Sequence, residues 1–526
     1  MLIYSLIFTW RFVLMKVALL VLYFAVLIGI GLYCRKHATN VDGFVLGGRN
    51  VGAWLTAFAY GTSYFSAVVF VGYAGQFGWK YGIAATWAGI GNALIGSLLA
   101  WFILGRRTRV MTRHLDTATM PQFFEKRFGS PSLKIGAAII IFVFMIPYTA
   151  SLYNGLSRLF GMAFSIDYSV CILLMAVLTA IYVIAGGYMA TAINDFIQGV
   201  VMLGGISAVI YTVIESKGGF MVAVDGLARI TDEKVSDTPG IFASFFGPDP
   251  LNLLFVVILT SLGTWGLPQM VQKFYAIKSE QAIQKGTVIS TLFAFVVAGG
   301  CYFLGGFGRL FSNQIDIAAN GYDSIIPTML SGLSAGMIAL VVILVLSASM
   351  STLSSLVIVS ASTLTLDLIR DNFAKNMTES KQVLLIRILV VVFIAISAVL
   401  ALVQYKSSVN FIAQLMGVSW GAMAGAFLAP FMYSLYSKSV STAACWSCFI
   451  FGSVLMTANM LIRPAFPAIM QSPINSGAIA MLVGLVLVPI ISAFTPKPDK
   501  KLVDDAFTCY DKKITVPLST SLNSDK

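Results

Sequence analysis

The sequence predicts an all-α polytopic membrane protein, and three observations indicate this fold class. Hydrophobic residues make up 58% of the 526 residues, and charged residues make up 11%. The mean hydropathy is +0.87. Apolar runs of about 20 residues, each long enough to cross a ~30 Å hydrocarbon core, recur along the chain, whereas soluble domains carry about 25% charged residues. A soluble globule is therefore excluded, and the expected surrounding is a lipid bilayer.

Thirteen segments are long and apolar enough to be membrane spans. They are 16–34, 51–77, 82–105, 134–162, 168–186, 191–214, 251–272, 285–308, 333–366, 383–404, 409–435, 441–461 and 476–495. Lys and Arg are concentrated in alternate connections, in which we include Lys273, and in the tail. The positive-inside rule then places the amino terminus outside and the carboxyl terminus in the cytoplasm of a multi-pass cell (plasma or inner) membrane protein.

The net charge and the cysteines do not indicate another class of protein. The formal net charge of +12 comes from basic residues between the spans, so it predicts no nucleic-acid binding. Cys445 and Cys448 form a CxxC inside an apolar span without a second pair, which indicates packing rather than metal or redox chemistry. We expect no enzymatic activity and no organic cofactor.

Two spans carry residues that interrupt a helix, one early in each half of the chain. Gly61 stands beside several hydroxyl residues, and Gly263, Gly266 and Pro268 lie close together in the second span. Paired interrupted spans indicate a substrate site between inverted repeats. The predicted organisation is an extension at 1–15 (with Met1 or Met15 as the start), a peripheral first helix at 16–34, repeats at 51–214 and 251–435, an extracellular loop at 215–250, two peripheral helices at 441–495, and a polar, disordered cytoplasmic tail at 496–526.

Residues 346–367 form an apolar segment that is unusually rich in hydroxyls. Ala348, Ser351, Thr352 and Ser355 follow i, i+3, i+4, i+7 spacing, so they share one helical face. Such hydroxyls either seal contacts between helices or offer oxygens to a hard cation, and the spacing alone leaves both open. Asp195, at membrane depth, is a functional candidate or an interfacial acid at a helix start.

Several separated motifs resemble those of the sodium/solute symporter family, with its proline and pantothenate branches. They are LGGR at 46–49, GTSYFSA at 61–67, TxPQFFEKRF at 119–128, GG…NDFIQG at 186–199 and SASMSTLSS at 347–355. The resemblance covers about residues 16–495. It implies two inverted five-helix repeats of the leucine-transporter type with flanking helices, and Na⁺ as the co-transported ion.

The resemblance also implies the ion ligands. The principal sodium site maps onto Thr62, Phe65, Ala348, Ser351 and Thr352. A second sodium site, present in some members, maps onto Asp195, Ser354 and Ser355.

The solute is less defined. The proline branch carries Asp, Trp and Tyr where this chain has Tyr64, Thr260 and Thr264, whereas short pieces such as WKYG at 79–82 resemble the pantothenate branch. From facing spans we predict a solute site for a small amino acid such as proline, a monocarboxylate or pantothenate. Its predicted lining residues are Tyr60, Tyr64, Ser66, Gln76, Tyr148, Thr264, Trp265 and Gln414.

The preferred function is therefore sodium-coupled symport of a small solute into the cell by alternating access, by a protein that works as a monomer. A channel, or a sensor that kept the transporter scaffold, is the alternative. A channel needs a ring of pore-lining groups, and a sensor needs a soluble signalling domain; neither is visible in the sequence. A redox enzyme would need His or Cys pairs within spans. His37 and His114 both lie outside them, and the one CxxC, at Cys445 and Cys448, has no second pair.

Overall fold

The computed structural model describes residue 18 and residues 20–164, 167–233, 235–406 and 412–511. The regular structure in these ranges is helical, apart from isolated single-residue bridges, which agrees with the predicted all-α class. The predicted extension at 1–15 and the tail from 512 lie outside the described residues.

The helices of six or more residues are numbered in chain order, and shorter, π or 3-10 segments are given with the helix that they continue. They are α1 (Leu20–Cys34), α2 (Val41–Leu46), α3 (Ala53–Tyr64), α4 (Val68–Tyr73, Ala74–Tyr81), α5 (Thr86–Gly91, Asn92–Leu99, Trp101–Gly105, Arg106–His114), α6 (Met120–Phe128), α7 (Pro131–Phe164), α8 (Tyr168–Glu215), α9 (Phe220–Ala228), α10 (Pro250–Val257, Ile258–Leu262, Gly263–Gly266), α11 (Pro268–Ala276), α12 (Glu280–Ala294, Phe295–Gly299, Gly300–Gly306), α13 (Ile325–Ser331), α14 (Ala335–Thr363, Leu364–Arg370, Asp371–Phe373), α15 (Glu379–Lys406), α16 (Ile412–Tyr436), α17 (Thr442–Ile462), α18 (Pro473–Phe494) and α19 (Lys500–Thr508).

Many of these helices are long and apolar enough to cross a membrane. Within the described ranges there are nine such helices, or ten when the bent pair α10 and α11 is taken as one span. Two of the nine, Val68–His114 and Tyr168–Glu215, have 47 and 48 residues. Each would extend about 70 Å as a straight helix, more than twice the hydrocarbon thickness.

Both long helices contain a glycine that leaves helical geometry. Gly82 has a φ of 63° and Gly187 has a φ of 58°, a region that side chains other than glycine rarely adopt. The neighbouring backbone also leaves no space, because a Cβ on Gly82 would lie 2.0 Å from the Phe242 carbonyl oxygen. Gly82 is the first residue of the predicted span 82–105, and Gly187 directly follows the predicted span 168–186.

Helix α14, which carries the hydroxyl-rich segment, lies in the middle of the bundle. It packs against α3, α7, α8 and α15. Residues 344–363 are buried without exception. The hydroxyls of this helix therefore face protein rather than lipid. Polar groups buried at this depth have no water to bond to, so they require partners within the protein.

The two broken spans are joined at one end by backbone hydrogen bonds. The Val51 N–H donates to the Ala276 carbonyl over 3.1 Å, and the Lys278 N–H donates to the Val51 carbonyl over 3.0 Å. This bridge fixes the segment before α3 against the segment after α11.

The prediction of a disordered tail is wrong for residues 500–508, which form helix α19. The Asp499 side chain caps the helix by accepting from the Lys501 and Leu502 N–H groups, and Val503 and Ala506 are buried. An apolar helix face therefore docks on the bundle, and the Tyr510 hydroxyl donates to the Arg107 carbonyl over 3.0 Å.

Candidate ion and solute site

The first helix break exposes backbone oxygens in the centre of the bundle. Helix α3 ends at Tyr64, and Phe65 has extended backbone angles (φ −88°, ψ 113°). The last carbonyls of a helix lack partners within it, so the carbonyl oxygens of Thr62 and Phe65 are available to other groups.

We expected this break at Gly61, and that position is wrong. The helix is regular through Gly61. A Cβ at this position would lie 2.4 Å from Phe293 Cδ1, so Gly61 allows α12 to pack closely on α3.

The second break falls where the sequence predicts it. Gly263–Gly266 forms a 3-10 turn, Leu267 is extended (φ −83°, ψ 121°), and Pro268 is the first residue of α11. The helix axis bends by 46°. Proline has no N–H to donate to a preceding turn, so it suits the start of a helix and ends the one before. The first interrupted span thus contains the extended residue Phe65, and the second contains the extended residue Leu267.

The structure brings all five predicted ligands of the principal sodium site together. The Ser351 hydroxyl lies 3.2 Å from the Thr62 carbonyl oxygen and 3.1 Å from that of Ala348. The Thr352 hydroxyl lies 3.1 Å from the Thr62 carbonyl oxygen, 3.4 Å from that of Phe65 and 3.2 Å from that of Ala348. All five residues are buried.

These oxygen separations are those of hydrogen bonds, and they are also close to the separations around a hard cation. Oxygens bound at about 2.4 Å from a cation of calcium's size lie about 3.4 Å apart in neighbouring octahedral positions. Here the five carbonyl–hydroxyl distances run from 3.1 to 3.4 Å. A hydroxyl has two acceptor lone pairs and a rotatable hydrogen, so both hydroxyls can turn their oxygens toward an ion. The cluster offers neutral oxygens only, which suits a cation that must also leave.

The residues of the second predicted sodium site are arranged differently. The Ser354 hydroxyl donates to the Ser351 carbonyl over 2.9 Å, and no hydrogen bond to Asp195 is found for it among the described residues. Asp195 instead faces Lys273, with 3.9 Å between the Lys273 Nζ and one Asp195 carboxylate oxygen. The Lys273 Nζ also donates to the Ser355 hydroxyl over 3.0 Å.

Counting Lys273 among the inner connecting residues is therefore wrong, because its side chain is only 1% exposed. The lysine lies on α11, which turns into the protein after the second break. The available sequence signal was its position five residues after Pro268, directly after the predicted span 251–272.

Three of the predicted solute-lining residues use their polar groups on helix α5. The Tyr60 and Thr264 hydroxyls donate to the Gly96 carbonyl over 2.8 and 3.1 Å. The Trp265 ring N–H donates to the Ile95 carbonyl over 2.9 Å. These side chains hold the two broken spans against the π segment of α5, so only the rings of Tyr60 and Trp265 are left for a solute.

Three other predicted lining residues keep polar groups without protein partners. Tyr64, Ser66 and Tyr148 are buried, and among the described residues none of their hydroxyls has a hydrogen-bond partner. Buried hydroxyls normally have one, so these three hydroxyls are available to a further ligand or to water.

The two predicted glutamines lie elsewhere. Gln76 lines a cavity of ≈ 730 Å³ together with Lys80, Asp249 and Asn475. Gln414 accepts a hydrogen bond from Arg463 over 2.7 Å near the start of α16, so its amide oxygen is already engaged within the protein.

Helix α16 supplies residues that sequence reasoning missed. The buried Ser419 hydroxyl and Trp420 ring nitrogen lack hydrogen-bond partners in the described part of the chain. The Trp420 ring meets the Tyr148 ring edge-on at 6.0 Å between centroids. Trp420 also packs near Gly263 of the second break. No spacing rule in the sequence connects α16 with these positions, because the contacts are long-range.

Comparisons with known proteins show which family the chain resembles. The sequence profile described as "Sodium:solute symporter family" matches residues 44–452. The osmoregulated proline transporter of Bacillus subtilis is 28% identical over 483 residues, covering 91% of this chain and 94% of that protein. A sodium/proline symporter of Staphylococcus aureus is 29% identical over 497 residues, covering 91% and 93%.

One solved structure, of a substrate-bound, outward-open Na⁺-coupled sialic acid symporter, has the same fold. It superposes with a TM-score of 0.70 at 16% identity, covering 92% of this chain and 99% of that chain. The chain thus has the fold of a membrane transporter, and its buried oxygen cluster lies between the first break and helix α14. The family match over most of the chain makes the assignment specific: the chain belongs to the sodium:solute symporter family, and its activity is sodium-coupled solute symport.

Proposed function

We propose that the driving sodium ion binds between the first break and helix α14. Its ligands are the carbonyl oxygens of Thr62, Phe65 and Ala348 and the hydroxyls of Ser351 and Thr352. The observation that carries this proposal is the convergence of these five oxygens at ion-like separations. A membrane potential of about 100 mV contributes ~2.3 kcal/mol for each charge that crosses. One sodium ion at this potential therefore supports roughly fifty-fold accumulation of a neutral solute.

The solute is a small amino acid such as proline, a monocarboxylate or pantothenate, carried into the cell. It binds between the two breaks against Tyr64, Ser66, Tyr148 and Trp420. The support for this place is the set of buried polar groups without partners around an aromatic wall. Two curated relatives are named for proline transport, so L-proline is the first solute to test.

Thirteen membrane crossings are consistent with the helices. The nine apolar helices of the described residues become eleven when the two long ones are divided at Gly82 and Gly187. The bent pair and Leu20–Cys34 bring the number to thirteen. The two inverted five-helix repeats are 51–214 and 251–435, with the amino terminus outside and the carboxyl terminus in the cytoplasm. The cavity lined by Gln76 and Asp249 is then the outer vestibule through which solute enters. The transporter works as a monomer in the cell membrane.

Uptake into proteoliposomes tests this proposal. Purified protein is reconstituted, a sodium gradient is imposed, and uptake of labelled L-proline, pantothenate and acetate is measured against an equal potassium gradient. We expect accumulation of one of these solutes with sodium and not with potassium, and collapse of the accumulation when a sodium ionophore is added. Equal uptake in both gradients would contradict sodium coupling. Sodium conductance without solute would instead indicate a channel, and solute binding without uptake would indicate a sensor.

A further inference from the structure

The carboxylate of Asp195 faces a cation that the chain itself supplies. The Lys273 Nζ lies 3.9 Å from one Asp195 carboxylate oxygen, and both side chains are 1% exposed. The same Nζ donates to the Ser355 hydroxyl over 3.0 Å and lies 5.0 Å from the centre of the Tyr188 ring. The ammonium group therefore contacts Ser355 and pairs with Asp195, two of the three residues that the sequence suggests for a second sodium ion.

The acid has little else to compensate its charge. Neither Asp195 carboxylate oxygen has a hydrogen-bond partner among the described residues. A buried carboxylate without hydrogen bonds needs an opposite charge close by, and Lys273 provides it. The Ser355 hydroxyl is also engaged, because it lies 3.1 Å from the Ser63 hydroxyl as well as in contact with the lysine.

We propose that the Lys273 ammonium occupies the place of a second sodium ion, so that one sodium ion is carried in each transport cycle. This inference rests on the proposed sodium site at Ser351 and Thr352. A sodium ion beside Asp195 would put a second positive charge within a few ångströms of the lysine, opposite a single carboxylate. Repulsion between like charges is strong in a buried region, so the two cations exclude each other.

The lysine differs from an ion in that it stays with the protein. Lys273 lies on α11, directly after the second break, and Asp195 lies on α8. The pair therefore links a broken span to the part of α8 that follows Gly187, and the two charges cancel. Only the ion at the neutral-oxygen site enters and leaves, which fixes the coupling at one sodium per solute.

Counting bound sodium tests the proposal directly. Equilibrium dialysis of the purified, detergent-solubilised protein with ²²Na⁺ should give one ion per chain at saturation. Lys273→Ala uncovers the Asp195 carboxylate and opens space beside it, so this variant should bind two. Lys273→Ala combined with Asp195→Asn should return to one, and Lys278→Ala, which alters an exposed lysine just beyond the same helix, should remain at one.

Each outcome bears on the inference. Two ions in the wild type would overturn it and leave the proposed sodium site intact, whereas no bound ion would overturn both. A single bound ion in Lys273→Ala would also overturn the inference. It would show that removal of the Lys273 ammonium does not create a second sodium site. If Lys273→Ala does not fold, Lys273→Gln removes the charge while keeping a donor for Ser355, and the same count of two is expected.

Discussion

The Thr352 hydroxyl lies 3.1 Å from the Thr62 carbonyl oxygen, so the centre of α14 is joined to the last turn of α3 before its break. If a sodium ion binds among these oxygens, it links the same two helices more strongly than the hydrogen bond does. Ion binding is therefore coupled to the packing of the broken span against the rest of the bundle.

Sodium should accordingly stabilise the purified protein against heat. A ligand that binds only the folded state at 100 times its Kd adds about 2.7 kcal/mol. We expect the unfolding temperature in detergent to rise with sodium concentration and to stay constant with potassium at equal ionic strength. The Thr352→Ala variant should lose most of this rise, and an undiminished rise in that variant would remove Thr352 from the ion site.

Gly61→Ala should destabilise the protein, because the added methyl group meets the Phe293 ring at 2.4 Å. Overpacking of this kind costs about 1–3 kcal/mol. Gly204→Ala, in α8, is the matched control, because nothing lies within 4 Å of its Cβ position. The control should be neutral or stabilising by up to about 1 kcal/mol. Equal unfolding temperatures for the two variants would contradict the packing role of Gly61.

Asp195 and Lys273 should behave as a coupled pair in stability measurements. Asp195→Asn or Lys273→Met alone leaves one buried charge unpaired, which costs about 3–5 kcal/mol. The double variant Asp195→Asn/Lys273→Met leaves neither charge and should recover most of the loss. Asp195→Asn should also raise the half-saturating sodium concentration for uptake, because the lysine charge is no longer cancelled. Additive losses in the double variant would show that the two residues do not interact.

Tyr148→Phe should weaken solute binding while leaving sodium binding nearly unchanged. Its hydroxyl is buried without a partner in the described part of the chain, and it lies beside Trp420. Loss of one hydrogen bond of about 0.5–1.5 kcal/mol corresponds to an increase of about two- to ten-fold in KM for the solute. Tyr60→Phe is the control, because the Tyr60 hydroxyl is already bonded to the Gly96 carbonyl. A larger increase in KM for Tyr60→Phe than for Tyr148→Phe would indicate that the solute binds beside α5 rather than beside Trp420.

The fold was predictable because membrane spans are set by local composition. Apolar length and the Gly–Pro cluster at 263–268 marked the spans and the second break. The first break was misplaced at Gly61 because the role of that glycine depends on Phe293, which is distant in sequence. A glycine in a span looks the same whether it breaks a helix or admits a neighbour.

The part of the sodium site that is formed by side chains was predictable from the sequence. Regular spacing placed Ser351 and Thr352 on one face, but every residue has a carbonyl group, so only the family resemblance pointed to Thr62 and Phe65. Lys273 was missed because a lysine near the end of a span resembles a loop residue. The hydrogen bond of Gln414 to Arg463 was not predictable, because Arg463 is 49 residues away in the sequence.

The most direct test of the sodium site is the half-saturating sodium concentration for uptake in Ser351→Ala and Thr352→Ala. Each variant removes one of about five oxygens, so we expect an increase of at least about ten-fold, corresponding to about 1.4 kcal/mol. Solute affinity should fall as well and recover in part at high sodium, because coupling between two bound ligands is reciprocal. Ser351→Thr and Thr352→Ser keep the oxygen and should be much milder.

Ser360→Ala and Ser362→Ala are the controls on the same helix. The Ser362 hydroxyl donates to the Ile358 carbonyl over 2.7 Å, and the Ser360 hydroxyl contacts the Met145 sulfur, so neither faces the oxygen cluster. We predict that both controls keep the wild-type sodium dependence. Sodium dependence in Ser351→Ala and Thr352→Ala that equals the controls would contradict a sodium ion at this place and leave the hydroxyls as packing groups.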